Sequence, residues 1–395
     1  GGIPQFDNDE VMIKTLLARG IPLEDAREYG VIGCVEPTVP GKEWPCCGST
    51  GSFGGVTLIG VLNLCIHGNK NPMTGDAGWL PCKKLYEYES FEELKAEYER
   101  QVKFYVDFEQ KIFQFFEVVY SEFFPCLSAS VTVDGCIESG RDVTWGGAKY
   151  NSFCVMTNTI ANTADSLMTI KKLCFDDKKV SLRELYDALC SNWEGYENLR
   201  QMIINEVPHY GNDDLEVDEL ARWCSDVYAD SLMSYTGPRG CAMAAGSLTL
   251  TVNVTIGKNT CATPDGRRAG EPMADAISPR QGAVANGPVA YVKSAARLSH
   301  YKYGNGNQLN IRFDPRSVEG DEGTWKLREL IQAYFDLGGL QLQFNVVASE
   351  ELRKAMKDPV SYKDLIVRIA GFSTYFVHMT PDVQEDFISR AEQFV

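Results

Sequence analysis

Two short stretches of this chain hold residues whose types and spacing could do chemistry. The first is GCVEP, residues 33–37. Cys34 and Glu36 stand two apart, so in an extended backbone their side chains point to the same face. Gly33 before them and Pro37 after them imply a fixed, irregular loop. A thiol and a carboxylate side by side could act on adjacent atoms of one small substrate. The structural alternative is a buried cysteine beside a surface glutamate. The second stretch is IVRIAGFSTYFV, residues 366–377, an apolar, strand-like run with Gly371 in its middle. A glycine weakens such a run, because it adds chain entropy and has no side chain to pack. Taken alone it marks a bulge or a close approach of backbones.

The bulk composition narrows what these residues could serve. The chain has 395 residues, 44% hydrophobic and 23% charged, as in ordinary soluble globular proteins. A net charge of −16 argues against nucleic acid as a partner, since phosphate binding needs a concentrated basic surface. No apolar run approaches the length that spans a bilayer. The start, GGIPQFDNDE, lacks the basic and hydrophobic regions of a secretory signal and lacks an initiator Met. Thirteen scattered cysteines then read as mostly buried free thiols in a reducing cytoplasm. There is no CxxC pair for zinc or an iron–sulfur cluster, and four histidines leave little for histidine chemistry.

The elements that must position the two stretches are legible in part. The first seventy residues, rich in Gly, Pro and Cys, read as loops between short strands. Ser90 with Glu93, and Ser181 with Glu184, form capping boxes that open helices. In the first of these, Leu94, Tyr98, Val102, Tyr105, Phe108, Ile112, Phe115 and Val119 follow helical spacing and are expected in the core. The run SLTLTVNVTIG (247–257) alternates with period two and is predicted as a strand. TPDGRRAGEP (263–272) is a turn cluster, and a domain boundary is expected near it, dividing the chain into 1–258 and 259–395. Downstream, TWKLRELIQAYFDLGG predicts a helix stopped by Gly338 and Gly339, and LQLQFNVV a strand. Thr380 as N-cap with Pro381 behind it starts a terminal helix. Helices alternate with short strands, which favours an α/β or α+β architecture.

The two stretches together resemble the glycyl radical enzymes. IVRIAGFSTYFV resembles their C-terminal signature, and GCVEP their active-site cysteine loop. CIESGRDVTWGGAKYN, TADSLMTIKKLCFDDKKVS, YGNDD, TPDGRRAGEP and QLQFNVV agree in order. The resemblance spans the chain but only the C-terminal half of the family pattern, so a fragment, inactive in isolation, is expected. It implies half of a ten-stranded α/β barrel of antiparallel half-barrels, followed by a glycyl radical domain. It also implies that Gly371 stores a backbone radical and that Cys34 becomes a transient thiyl. Glycine suits the store, because without a Cβ its radical centre can flatten into the peptide plane. Ile369, Ala370, Phe372, Tyr375 and Phe376 would shield it, with Arg368 as an anchor.

Within the family, Cys-Val-Glu-Pro resembles the eliminase branch of dehydratases and C–N or C–S lyases. There Glu36 takes a hydroxyl proton while the substrate radical expels a leaving group from the next carbon. Pyruvate formate-lyase itself is disfavoured, because its loop carries two consecutive cysteines and here positions 33 and 35 are Gly and Val. The Cys46–Cys47 pair lies downstream and is read as packing. EWPCCGSTG lacks the His-Asp pair of diol dehydratases. The runner-up is an arylacetate decarboxylase, for which the small-residue run around Phe53 would leave room for a ring. His67 and Glu138 are candidate substrate contacts, with a helix-terminal role for His67 and a structural one for Glu138 as alternatives. A reading of another class is a spare-part module that repairs an oxygen-damaged partner. The resemblance implies no permanently bound cofactor; a separate S-adenosylmethionine and [4Fe–4S] activating enzyme would install the radical. It further implies a small-molecule substrate, a homodimer and an anaerobic cytoplasm or a microcompartment within it.

Overall fold

YNSFCVM and AMAAG are apolar on both faces, which is the pattern of strands covered from both sides by helices. A computed structural model of the chain, describing residues 5–44, 55–240, 242–390 and the backbone of 392–393, places them side by side. Its strands are β1 (Gln5–Asp7), β2 (Gly30–Ile32), β3 (Glu36–Thr38), β4 (Glu43–Trp44), β5 (Tyr150–Met156) and β6 (Ala242–Gly246). They continue as β7 (Asn310–Phe313), β8 (Gln341–Val346), β9 (Ile366–Arg368), β10 (Ser373–Tyr375) and β11 (Glu392–Gln393). The order β4-β5-β6 is wholly parallel. The order β1-β8-β7-β11 has β1 antiparallel to β8 and the rest parallel.

Parallel neighbours need long crossovers, and helices supply them. Ile160–Thr169, Leu182–Cys190, Glu197–Glu206 and Leu215–Met233 lie between β5 and β6, and Gly320–Asp336 lies between β7 and β8. The architecture is mixed α/β, as expected. The largest apolar cluster takes Phe153 and Val155 from β5, Met243 and Ala245 from β6, and Phe313, Leu342 and Phe344 from β7 and β8. A smaller cluster of Val367, Ile369, Ala370, Phe376, Phe387 and Ile388 supports the glycine segment. No described helix is long and apolar enough to cross a membrane. All ten described cysteines are free thiols, five of them buried.

Several local expectations need correction. Residues 252–258 form a helix, Val252–Lys258, and the strand before it stops at Gly246. Strand propensity reports fit to a pleated surface, and no described strand lies beside this segment to supply one. Instead, the buried Asn253 side chain donates to Met273 O and Asp386 Oδ2, which holds the helix in place. In the first seventy residues, Asp9–Ala18 is a helix that buries Val11, Met12 and Leu16; its Gly- and Pro-rich neighbourhood hides that short pattern.

The long helix runs Phe91–Phe123 with Leu94, Tyr98 and Val102 buried, but its apolar stripe is core only at the start. Ile112 and Phe115 are exposed, Phe115 by 65%, because the covering helices Leu58–His67 and Leu215–Met233 do not bury that end. Ser90 and Ser181 accept the Glu93 and Glu184 N–H groups, each at 3.1 Å. The Glu93 carboxylate reaches past Ser90 to the Glu89 N–H at 2.8 Å, where Lys83 also holds it, so the reciprocal half of that box is displaced. Thr380 precedes the helix Pro381–Ser389, yet its hydroxyl turns to the Asp382 carboxylate rather than to the backbone.

Candidate active site

Cys34 lies at the tip of a hairpin. β2 and β3 pair antiparallel with Ile32 opposite Glu36, which leaves residues 33–35 as the turn. Their side-chain proximity therefore does not come from strand alternation, as the two-residue spacing suggested. The Glu36 side chain folds back over its own turn, where Oε2 accepts the Cys34 N–H at 2.6 Å and the Val35 N–H at 2.8 Å. Gly33 permits this, with φ +64° and no Cβ: one built there would lie 2.5 Å from Glu36 Oε2. Val35 is buried against Met156 and Leu248, which seats the hairpin on the ends of β5 and β6.

Gly371 lies at the tip of a second hairpin, not within a continuous strand. β9 and β10 pair with Arg368 opposite Ser373, and the Ile369 N–H donates to Phe372 O at 2.9 Å. Gly371 takes the third position of that turn with φ +76°, where a type II turn favours glycine. Strand β8 holds this hairpin. Asn345 accepts the Arg368 N–H and donates to Arg368 O, both at 2.8 Å, as a neighbouring strand would. Gln343 Oε1 accepts from Gly371 N–H at 3.3 Å and from Arg368 Nε at 3.1 Å. Arg368 also reaches Gln5 Oε1 at 2.6 Å, so it anchors the loop.

The two tips meet. A Cβ built on Gly371 would stand 2.1 Å from Cys34 Cβ and 2.9 Å from Cys34 Sγ. No side chain fits at 371 while Cys34 is in place. Two residues from opposite ends of the chain thus touch through the one position that must lack a side chain.

The electrostatics suit a thiol that gives up a hydrogen atom. Burial, with the Glu36 carboxylate beside it, pushes the Cys34 thiol up to about 11, against a smaller opposite pull from Arg368. At neutral pH it keeps its S–H hydrogen, which a thiolate would have lost. Burial also raises Glu36 above the usual carboxylate range, opposed by the N–H groups of its own loop. Glu36 Oε2 is the oxygen that takes the Cys34 and Val35 N–H groups.

The other expected site residues lie elsewhere. His67 ends its helix with Gly68 in the left-handed C-cap, contacts Cys261 Sγ at 3.8 Å and packs on Tyr186. Burial lowers it to about 4, so it is neutral. Glu138 is exposed and its carboxylate accepts the Gly135 N–H at 2.9 Å, which closes a local turn. Phe53 and the Cys46–Cys47 pair fall outside the described residues. Of the shield proposed for Gly371, Ile369, Ala370 and Phe376 are buried, whereas Phe372 and Tyr375 are each 41% exposed. Sequence reasoning missed Gln343 and Asn345. Their trace was the alternation of Gln, Gln and Asn in QLQFNV, a row of amides on one face of a buried strand. Among the described residues no group of three or more His, Cys, Asp or Glu could hold a metal ion.

Comparison with known proteins gives the family. A family model described as pyruvate formate lyase-like matches residues 1–257, and one described as glycine radical matches 273–377. The trans-4-hydroxy-L-proline dehydratase of Clostridioides difficile is 34% identical over 392 residues, covering 99% of this chain and 49% of that protein. The (2S)-3-sulfopropanediol dehydratase of Klebsiella oxytoca is also 34% identical, over 396 residues, covering 99% of this chain and 48% of that protein. The glycerol-bound B12-independent glycerol dehydratase of Clostridium butyricum superposes with a TM-score of 0.95 at 36% identity, covering 100% of this chain and 49% of that one. The chain spans about half the length of the curated relatives it matches. It belongs to the pyruvate formate lyase-like family of glycyl radical enzymes.

Proposed function

We propose that this chain stores a radical on Gly371, passes it to Cys34 and, with Glu36, drives elimination from a small substrate. One observation carries the reading: Cys34 fills the space a side chain at 371 would need, with Sγ 2.9 Å from that point. The Gly371 radical takes the thiol hydrogen atom from Cys34, and the thiyl takes a hydrogen atom from a substrate carbon bearing a hydroxyl. Glu36 accepts the hydroxyl proton, and the electron-rich radical expels the leaving group with its bonding pair from the neighbouring carbon. The product radical then recovers a hydrogen atom from Cys34, and Cys34 from Gly371. The leaving bond is C–O, C–N or C–S; the relatives named above act on hydroxyl-bearing molecules, which supports C–O first.

The radical has to be made elsewhere. A separate activating enzyme, using S-adenosylmethionine and a [4Fe–4S] cluster, would remove one hydrogen atom from Gly371. Phe372, exposed beside that turn, is what such a partner would first meet. The test uses the full open reading frame that contains this chain, activated anaerobically. The expected result is a glycine-type doublet in electron paramagnetic resonance, absent in Gly371→Ala, with product formed from hydroxyl-bearing substrates. No doublet with a competent activator would overturn the reading.

A further inference from the structure

We propose that Gln343 is the positioning residue of the stored radical: its carbonyl, oriented by an Asp275–Asn310 relay, grips the Gly371 N–H and keeps the amide nitrogen electron-rich. The proposal rests on the reading of Gly371 as the radical store.

A carboxamide presents a donor on one side and an acceptor on the other, and its neighbours decide which way it faces. Here a buried chain decides it. The Asp275 carboxylate only accepts, so the Asn310 Nδ2 group faces it. Asn310 Oδ1 is thereby turned toward two donors, Gln343 Nε2 and Gln308 Nε2, the latter at 3.2 Å. With its Nε2 committed to Asn310, Gln343 must point Oε1 the other way. There it meets the Gly371 N–H at 3.3 Å, Arg368 Nε at 3.1 Å and Gln341 Nε2 at 3.4 Å. Asp275, Asn310 and Gln343 are all buried, and Arg390 stands 3.3 Å from Asp275 as its counter-charge. Reversing the Gln343 amide would set N–H against N–H at Gly371 and leave Asn310 Oδ1 facing an oxygen.

This orientation matters to a radical centred on the Cα of Gly371. Such a radical is stabilised when the amide nitrogen releases electron density into the half-filled orbital and the carbonyl withdraws it. An acceptor on the N–H enriches that nitrogen, and it also holds the peptide flat against Cys34. Gln343 reaches no substrate in this arrangement; it acts through Gly371. Only its effect on that one amide separates this role from plain support of the sheet.

The test has two arms, with Gln343→Met removing the acceptor, Gln343→Asn withdrawing it by one methylene, and Gln343→Glu restoring it. The carboxyl introduced by Gln343→Glu, when protonated, can donate to Asn310 and still accept from Gly371. In the radical-free protein, exchange of the Gly371 amide hydrogen is expected to rise about fivefold in Gln343→Met and Gln343→Asn, the loss of one modest hydrogen bond. The Ile369 amide, bonded across the turn to Phe372, should stay at the parental rate and report an intact hairpin. In the activated protein, the same two variants should show a smaller nitrogen hyperfine coupling and a radical lifetime shortened several-fold, with Gln343→Glu near the parent. Folded Gln343→Met and Gln343→Asn proteins with unchanged Gly371 exchange and unchanged nitrogen coupling would overturn the assignment. The exchange arm needs no radical, so a parent protein that never shows a doublet would count against the radical store alone.

Discussion

The two hairpins that meet at the site are built on opposite plans. The cysteine hairpin is held mainly from within: Glu36 bonds the backbone of its own turn, and Gly33 makes room for that carboxylate. The glycine hairpin is held from outside, by the side chains of Asn345 and Gln343 on β8. A self-bonded turn keeps thiol and carboxylate in one fixed relation, as chemistry on adjacent substrate atoms requires. The glycine hairpin also rests on the apolar cluster of Val367, Ile369, Ala370 and Phe376, so its hold combines packing with bonds from a neighbouring strand. On the proposed reading, the residue an activator must reach sits on the hairpin held by a neighbouring strand, and the thiol and carboxylate sit on the self-bonded turn.

Changes at the point of contact should break this pairing most completely. Gly371→Ala puts a methyl within 2.1 Å of Cys34 Cβ and forces a β-carbon into φ +76°, which alone costs about 1–2 kcal/mol. Turnover is expected to fall to background in an anaerobic substrate assay, and Cys34→Ala should do the same while leaving the glycine doublet. Next in size is Glu36→Gln, which keeps one acceptor oxygen but removes the base, for a loss of roughly a hundred- to ten-thousand-fold in kcat. Gly33→Ala should approach it, because a Cβ at that point displaces the Glu36 carboxylate.

The difference between the two plans can be sharpened by Asn345→Ala. Losing both bonds to Arg368 should weaken the dock by about 2 kcal/mol and speed amide exchange in residues 366–375, with residues 30–38 unchanged. The pH profile of kcat separates them again. The acid limb should lie above the usual carboxylate range, where Glu36 gains its proton, and the alkaline limb near about 11, where Cys34 loses the S–H hydrogen. Smallest of all is Glu138→Gln: its carboxylate closes a distant turn, so kcat should stay within about twofold, far below what losing a general base costs.

Much of this site was legible as chemistry and little of it as geometry. Taken alone, Cys34, Glu36 and Gly371 read as a buried thiol, a surface carboxylate and a bulge, and the family resemblance of their two stretches is what singled them out. What brought them together was not legible. Neither hairpin shows in its own sequence, since residues 30–38 carry no Asn-Gly or Asp-Gly turn pair and IVRIAGFSTYFV reads as one strand. Gln343 and Asn345 were hidden for another reason: a polar residue in a strand ordinarily signals a wet face, and here that face is buried by the docked glycine hairpin. The helix Val252–Lys258 was misread because its β-branched residues fit a pleated surface that tertiary packing never offers them. The helices with clear caps at Ser90 and Ser181 were readable because a cap is a local bond.

The most direct test of the contact between the hairpins follows the Gly371 hydrogen itself. The activated protein is transferred to D₂O without substrate, and its doublet is followed by electron paramagnetic resonance. If Cys34 exchanges hydrogen atoms with Gly371, deuterium from the thiol enters the glycine and the doublet collapses to a singlet. In Cys34→Ala the doublet should then persist. A doublet that collapses equally fast without the Cys34 thiol, or never collapses with it, would contradict the account.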